Sequence, residues 1–448
     1  MSPNSSPGRA ARSPRQRTES ESGKRSRHAP THINNSLGFP LLTTEHTPQN
    51  VALNAFGLGV LAGLGIALRW TECMSLATTA YCVLASVGLI LEYITRAMLK
   101  QEQGLKSFVI GGKHRDNLFL YLGPIEYALR WMLLPTISHL TAVSSVGVIL
   151  AIAAQNVRTF SLIGLGSSPQ DRSALRIARL ALRGWQISIQ IVLCNPLCLA
   201  GQCMFGTASS PGRSQPESGL GPLGLPIFDG HHTPQNIAAH AYLLGCLHGL
   251  GVALGFCSTD FRGLGFFVGS LALFHVLEYL CTAMYRSDVK MSAFLLNNGR
   301  EYQMAMAAGV VEYFVWYFVY PPMNAFRWWN WIALIGMVAA QYLRSAAMIT
   351  AGSNFTHLIA AEKDPSHTLV TTGIYATFRH PSYTAFYYWA VCTQLTANNP
   401  FCSLAFSLAL YKFFRDRIIY EERTLIEFFG DEYERYIRTA KVWIPYIE

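Results

Sequence analysis

The chain has 448 residues, of which 51% are hydrophobic and only 14% charged, with a mean hydropathy of +0.23; soluble globular chains carry about 25% charged residues. Because the apolar residues fall in uninterrupted runs, this composition excludes a soluble multidomain enzyme and predicts a membrane protein. The net charge of +9 does not point to nucleic acid: residues 1–30 supply +5 of it, and the remaining basic residues flank apolar runs, as the positive-inside rule expects.

In chain order, residues 1–45 are rich in Ser, Pro, Arg and Asn without an apolar segment, which predicts a disordered basic tail rather than a cleavable signal peptide. The string HTPQN then occurs at 46–50 and again at 232–236, an offset of 186. The same offset aligns Gly59 and Gly63 with Gly245 and Gly249, Leu91-Glu92-Tyr93 with Leu277-Glu278-Tyr279, Glu126-Tyr127 with Glu312-Tyr313, and AAQNVR at 153–158 with AAQYLR at 339–344. Self-similarity at a fixed offset is the mark of a repeat. The expected fold is therefore an all-α, multi-pass membrane helical bundle of two tandem parallel copies. Four spans are expected in each, near 52–70, 77–98, 117–135 and 141–158, then near 236–257, 264–285, 303–321 and 328–350. Basic stretches at 99–116 and 158–185 place the N-terminus, linker and C-terminus in the cytosol.

The copies are unequal. Cys194-Asn195-Pro196-Leu197-Cys198 aligns with Asn398-Asn399-Pro400-Phe401-Cys402 only at an offset of 204, so 18 residues are missing from the first copy between Thr159 and Ile189. The expected organisation is a basic tail (1–45), a degenerate membrane repeat (46–206), a Ser/Pro/Gly-rich linker (207–231) and an intact unit (232–448) with a cytosolic region at 352–448. Tyr383–Leu395 and Phe401–Phe414 read as a helical hairpin broken at Asn399-Pro400, since proline cannot continue a helix.

Glu92, Glu126, Glu278 and Glu312 stand inside apolar runs, where a carboxylate must be paired. Both copies keep these residues, which favours interhelix hydrogen bonding over catalysis. The GxxxG spacings at 59/63 and 245/249 read as close helix packing rather than a phosphate loop. His240, His248 and His275 occur in the second copy alone, and the spacing of His275 to Glu278 suggests a buried polar pair rather than a metal site. His231 and His232 carry no evident function. Ten cysteines without a C-x-x-C pair suggest neither zinc nor a disulfide framework.

The densest polar information lies at 352–448: GSNFTH (352–357), HTLVTTGIY (367–375), FRHPSY (378–383), FFRDRIIYEERTL (413–425), FFGDEYERY (428–436) and IPYI (444–447). Arg417 and Glu421 are four apart and share a helix face, so one can meet an anionic group and the other a cationic group. An ordinary i,i+4 ion pair is the plainer reading of that spacing.

Taken together these strings resemble the isoprenylcysteine carboxyl methyltransferase family over roughly 105 residues. The resemblance implies an S-adenosylmethionine site at His367, Thr368, Leu369, Val370, Tyr375, His380, Pro381, Ser382, Tyr383 and Glu421, with Arg417 contacting the substrate carboxylate and no metal. It further implies methyl transfer to the C-terminal carboxylate of farnesyl or geranylgeranyl cysteine in CaaX-processed proteins, at the endoplasmic reticulum membrane. Two departures, Ala385 for a common glycine and Ile418-Ile419-Tyr420 for a run of glutamates, bear on the shape of the lipid entrance. A looser R-H-x-x-Y plus E-E-x-x-L pattern is shared with phospholipid N-methyltransferases and sterol reductases. Those activities, and a non-catalytic membrane protein, are the alternatives. The first copy has no counterpart of RHPSY, Arg417 or Glu421 and is expected to be catalytically inert.

Overall fold

A computed structural model describes residues 41, 45–70, 76–98, 152–154, 156–157, 227–359, 362–363, 365 and 367–447. Most of the basic tail, the third and most of the fourth expected spans of the first copy, and most of the linker lie outside them. The described residues form nine α-helices: α1 (Pro48–Trp70), α2 (Leu76–Met98), α3 (Pro234–Cys257), α4 (Arg262–Tyr285), α5 (Arg300–Val319), α6 (Trp328–Ala351), α7 (Pro381–Thr396), α8 (Pro400–Phe429) and α9 (Asp431–Thr439). Five stretches are long and apolar enough to cross a membrane: 48–70, 79–98, 234–257, 262–285 and 328–354. The expected span near 303–321 forms α5 but falls short of that apolarity. Arg300, Glu301, Gln303 and Glu312 dilute it.

The centre of the bundle is the contact between α1 and α3. In lipid, helices gain little from hiding apolar surface from one another and associate through close packing, which small residues permit. A Cβ on Gly59 would collide with the Tyr242 carbonyl oxygen, and one on Gly245 with that of Phe56; Gly63 and Gly249 meet Cys246 and Val60 in the same way. The two GxxxG faces thus lie against each other. Matching residues make matching contacts at the helix starts. Asn50 Nδ2 donates to the Glu45 carbonyl at 3.0 Å and Asn236 Nδ2 to that of His231 at 2.8 Å. His46 Nε2 meets the Tyr93 hydroxyl at 2.7 Å, and His232 Nε2 that of Tyr279 at 2.9 Å. His232, expected to be an idle linker residue, is therefore part of the packing.

The hairpin forms as expected, with α7 and α8 joined by Ala397–Asn399. Asn398 turns the chain at φ 58°, a left-handed conformation that asparagine tolerates. Its polar groups are met from the neighbouring helices. Asn330 Nδ2 donates to Asn398 Oδ1 at 2.7 Å and to the Leu395 carbonyl at 2.9 Å, while Asn399 Nδ2 donates to the Gly309 carbonyl at 2.8 Å. Glu312 accepts from the amides of Phe401 (2.9 Å) and Cys402 (2.6 Å), capping the start of α8 from α5. Interhelix hydrogen bonding is thus the role of Glu312. Negative charge at a helix N-terminus is also favoured by the helix dipole.

The glycine contact is testable. Gly59→Leu or Gly245→Leu should lower the thermal midpoint of the detergent-solubilised protein, since overpacking costs about 1–3 kcal/mol. Gly57→Leu, with nothing within 4 Å of a built Cβ, should leave it unchanged. An unmoved midpoint for Gly245→Leu would mean that α1 does not seat on α3.

Candidate functional site

The residues singled out at 352–448 converge where α4, α6, α7 and α8 end or emerge. Pro381 occupies the first turn of α7, where a missing amide hydrogen costs nothing and the fixed φ suits a helix start. The residues before it are tied to the C-terminal tail. The Arg379 amide donates to the Lys441 carbonyl at 2.8 Å, Arg379 Nη1 to the Ala440 carbonyl at 2.8 Å, and the Thr384 hydroxyl to the Val442 carbonyl. α9 fastens the loop from the other side, its Tyr436 hydroxyl donating to the Tyr375 carbonyl at 2.6 Å. Burial pushes the Tyr436 hydroxyl up to about 12, so it stays a donor at neutral pH.

His380 and Tyr383 stack on one side of the site, centroids 5.5 Å apart and planes at 8°, and Tyr383 stacks on Phe414 of α8 at 5.2 Å. From α8, Arg417 Nε donates to the Tyr383 hydroxyl at 2.8 Å and Nη2 to the His357 carbonyl at 2.7 Å. Glu421, one turn on, faces His380, whose Nδ1 is 3.9 Å from Glu421 Oε2. Arg417 and Glu421 therefore share a face without pairing with each other, and the plain ion-pair reading of their spacing does not hold. The guanidinium is fixed by two neutral acceptors and keeps Nη1 for another partner.

The loop at 367–370 is held by Asn354 of the GSNF string, which accepts from the Thr368 amide at 3.2 Å and donates to its hydroxyl at 3.3 Å. Leu369 packs against Tyr433, Tyr436 and Ala440. His367 and Val370 are half-buried on the same loop. Ser382 is buried, and its hydroxyl and carbonyl both accept from Arg344 Nη1, at 2.5 and 3.1 Å.

Three groups were missed or misjudged by spacing alone. Glu422, beside Glu421, accepts from Arg379 Nε at 2.6 Å and meets His380 Nε2 at 3.0 Å. Burial would push its carboxyl up, yet His380 and Arg379 hold it below the ordinary value. Arg344 served only as a mark of the repeat, although an arginine in an apolar run demands a partner. That partner is Glu278, bound through Nε to Oε1 at 2.7 Å. The expected pairing of His275 with Glu278 does not form: His275 Nδ1 bonds the Phe294 carbonyl at 2.8 Å and Nε2 meets the Tyr302 hydroxyl at 3.3 Å. Arg344 offers a fork that grips both carboxylate oxygens, which one imidazole nitrogen cannot match.

One observation bears on what the site could hold. Glu421 Oε2 is buried and has no hydrogen-bond partner. A buried carboxylate oxygen without a donor is costly, and a cationic or N–H-bearing ligand group beside the His380 and Tyr383 rings would satisfy it. The residues present fit a positively charged cofactor such as S-adenosylmethionine.

Residues 331–427 match the family model described as the isoprenylcysteine carboxyl methyltransferase (ICMT) family. The chain is 40% identical over 213 residues to the protein-S-isoprenylcysteine O-methyltransferase of Mus musculus, across 47% of this chain and 75% of that protein. It is 40% identical over 214 residues to the enzyme of the same name from Saccharomyces cerevisiae, across 46% of this chain and 89% of that protein. A solved structure of the eukaryotic intramembrane Ras methyltransferase ICMT is 36% identical and covers 48% of this chain and 77% of that one, with a TM-score of 0.47. With identity at this level across three quarters or more of the mouse and yeast proteins, this chain belongs to the isoprenylcysteine carboxyl methyltransferase family.

Proposed function

We propose that the protein transfers a methyl group from S-adenosylmethionine to the C-terminal α-carboxylate of a prenylated cysteine in CaaX-processed proteins. In this reading it works in the endoplasmic reticulum membrane with both termini cytosolic. Residues 232–448 form the enzyme, and residues 46–206 carry no site of their own. The observation that carries the reading is the division of labour on α8. Arg417 is locked in place with Nη1 unspent, and one turn away Glu421 has a buried oxygen without a donor.

S-adenosylmethionine, when bound, supplies an electrophilic methyl carbon on a positively charged sulfur. Within the chain, Glu421 and the stacked His380 and Tyr383 rings would accommodate that charge, and the loop at 367–370, Tyr375, Pro381 and Ser382 would complete its walls. Arg417 would bind the substrate carboxylate and aim one oxygen at the methyl carbon. No residue needs to remove a proton, because a C-terminal carboxylate with a pKa of about 3.3–3.7 is already ionised at neutral pH. Positioning is then the main demand. It explains why Arg417 is braced by Tyr383 and His357 instead of being left mobile. A membrane bundle suits the substrate, since a prenyl chain dissolved in lipid can lie along the helices while its carboxylate reaches the polar end.

Membranes containing the full-length protein should transfer labelled methyl from S-adenosylmethionine to a farnesylated cysteine analogue, giving a base-labile ester. Transfer to phosphatidylethanolamine and none to the prenylcysteine would refute the assignment. Arg417→Lys should lower kcat/KM for the prenylcysteine by about 10²-fold, because a point charge does not reproduce a planar grip and a displaced carboxylate reacts slowly. Its affinity for S-adenosylmethionine should persist. Glu421→Gln should have the opposite signature, weakening S-adenosylmethionine binding about tenfold for the loss of one charged hydrogen bond. Equal loss of folded protein in both variants would instead support a purely structural role for the two residues.

A further inference from the structure

A polar contact that the reaction above does not use lies inside the bundle. The Glu278 side chain on α4 is wholly buried and that of Arg344 on α6 is 9% exposed. They meet in a two-point grip, Nε to Oε1 at 2.7 Å and Nη2 to Oε2 at 3.0 Å. A contact that merely fastened α4 to α6 could stop there. This one extends from both ends. Arg344 Nη1 donates to the Ser382 hydroxyl at 2.5 Å, in the turn of α7 that carries His380 and Tyr383. Glu278 Oε2 meets His357 Nε2 at 2.8 Å, and the backbone carbonyl of His357 accepts from Arg417 Nη2 at 2.7 Å.

At the aligned position, Glu92 has a basic partner within its own helix. Glu92 accepts from Arg96 Nε at 2.6 Å, one turn along its own helix. The residue aligned with Arg96 is Thr282, whose hydroxyl donates instead to the backbone carbonyl of Glu278 at 2.8 Å. No basic residue of α4 stands one turn beyond Glu278, and its carboxylate reaches across to α6. A buried ion pair is also a poor choice if stability were its sole purpose, since apolar replacements of such pairs are often neutral or stabilising. The rings of Phe274, Phe355 and Phe386 already surround Arg344, centroids 5.9, 5.9 and 5.6 Å from Cζ. What a bidentate pair adds over apolar packing is a fixed angle and distance.

We propose that Glu278 and Arg344 are positioning residues for methyl transfer: their ion pair sets the separation between the turn at 380–383 and Arg417, with His357 as the link to Arg417. This rests on the functional reading above, in which those two parts hold the methyl donor and the acceptor carboxylate. Neither residue touches a reacting group. Their effect is on alignment, and a displacement of about 1 Å at such a site costs about 10²-fold in rate.

The test compares full-length wild type with Glu278→Gln, Arg344→Lys and His357→Leu in the same membranes. Initial rates are measured with varied farnesylcysteine analogue and varied S-adenosylmethionine, and the folded fraction is taken from thermal melts in detergent. Per folded molecule, Glu278→Gln and Arg344→Lys should lower kcat by about 10²-fold. His357→Leu leaves the ion pair intact and should raise KM for the farnesylcysteine analogue about tenfold, with KM for S-adenosylmethionine unchanged. Should the two ion-pair variants not fold, His357→Leu carries the test by its split between the two KM values. Rates per folded molecule equal to wild type, or a His357→Leu defect confined to S-adenosylmethionine, would overturn the proposal. Wild type inactive on farnesylcysteine would overturn the functional reading and this proposal with it, whereas active wild type with unaffected variants overturns the positioning role alone.

Discussion

Lipid offers no hydrogen bonds, so every polar group carried into the bundle must find its partner inside the protein. This constraint explains the arrangement of the intact unit more fully than apolar packing does. The turn between α7 and α8 exposes amides and carbonyls at the break made by Asn399-Pro400; Asn330 of α6 and Glu312 of α5 meet them, while Asn398 and Asn399 of the turn donate to the Ala325 and Gly309 carbonyls. With those bonds made, the hairpin can enter the membrane, and α8 can run from Pro400 through 30 residues to the polar end of the bundle. Arg417 and Glu421 are placed by that length of helix.

A second consequence concerns the site itself. Arg417 is held by a tyrosine hydroxyl and a backbone carbonyl, two neutral acceptors, so its charge is not cancelled by a protein carboxylate. Glu421 and Glu422 instead face His380 and Arg379. Had Arg417 and Glu421 closed on each other, neither would be left open to a further charged group.

The sequence correspondence at an offset of 186 has counterparts in the contacts at the helix starts. Residues 186 apart make the same bonds: Asn50 and Asn236 to the carbonyl five residues back, His46 and His232 to the tyrosine of the next helix, and the GxxxG faces to each other. α1 thus seats on α3 through residues that the two segments share. At the aligned glutamates, Glu92 meets Arg96 of its own helix and Glu278 is gripped by Arg344 from across the bundle.

Membrane class, the order of the described helices and the residues that gather at the candidate site were legible in the sequence alone, because they depend on local quantities. Runs of about 20 apolar residues mark spans, Asn-Pro breaks a helix, and four-residue spacing puts Arg417 and Glu421 on one face. The motif strings at 352–383 likewise identified the loop and turn that converge on α8. Pairing was decided by tertiary structure. Spacing joined His275 to Glu278, and taken alone would also join Arg417 to Glu421; neither pair forms, since an i,i+3 or i,i+4 separation states only that two side chains can meet. Which partner wins depends on what other helices bring near, and sequence distance does not encode that. Arg344 lies 66 residues from Glu278 and Glu422 lies 43 from Arg379, yet their forked and charged contacts outcompete the local ones.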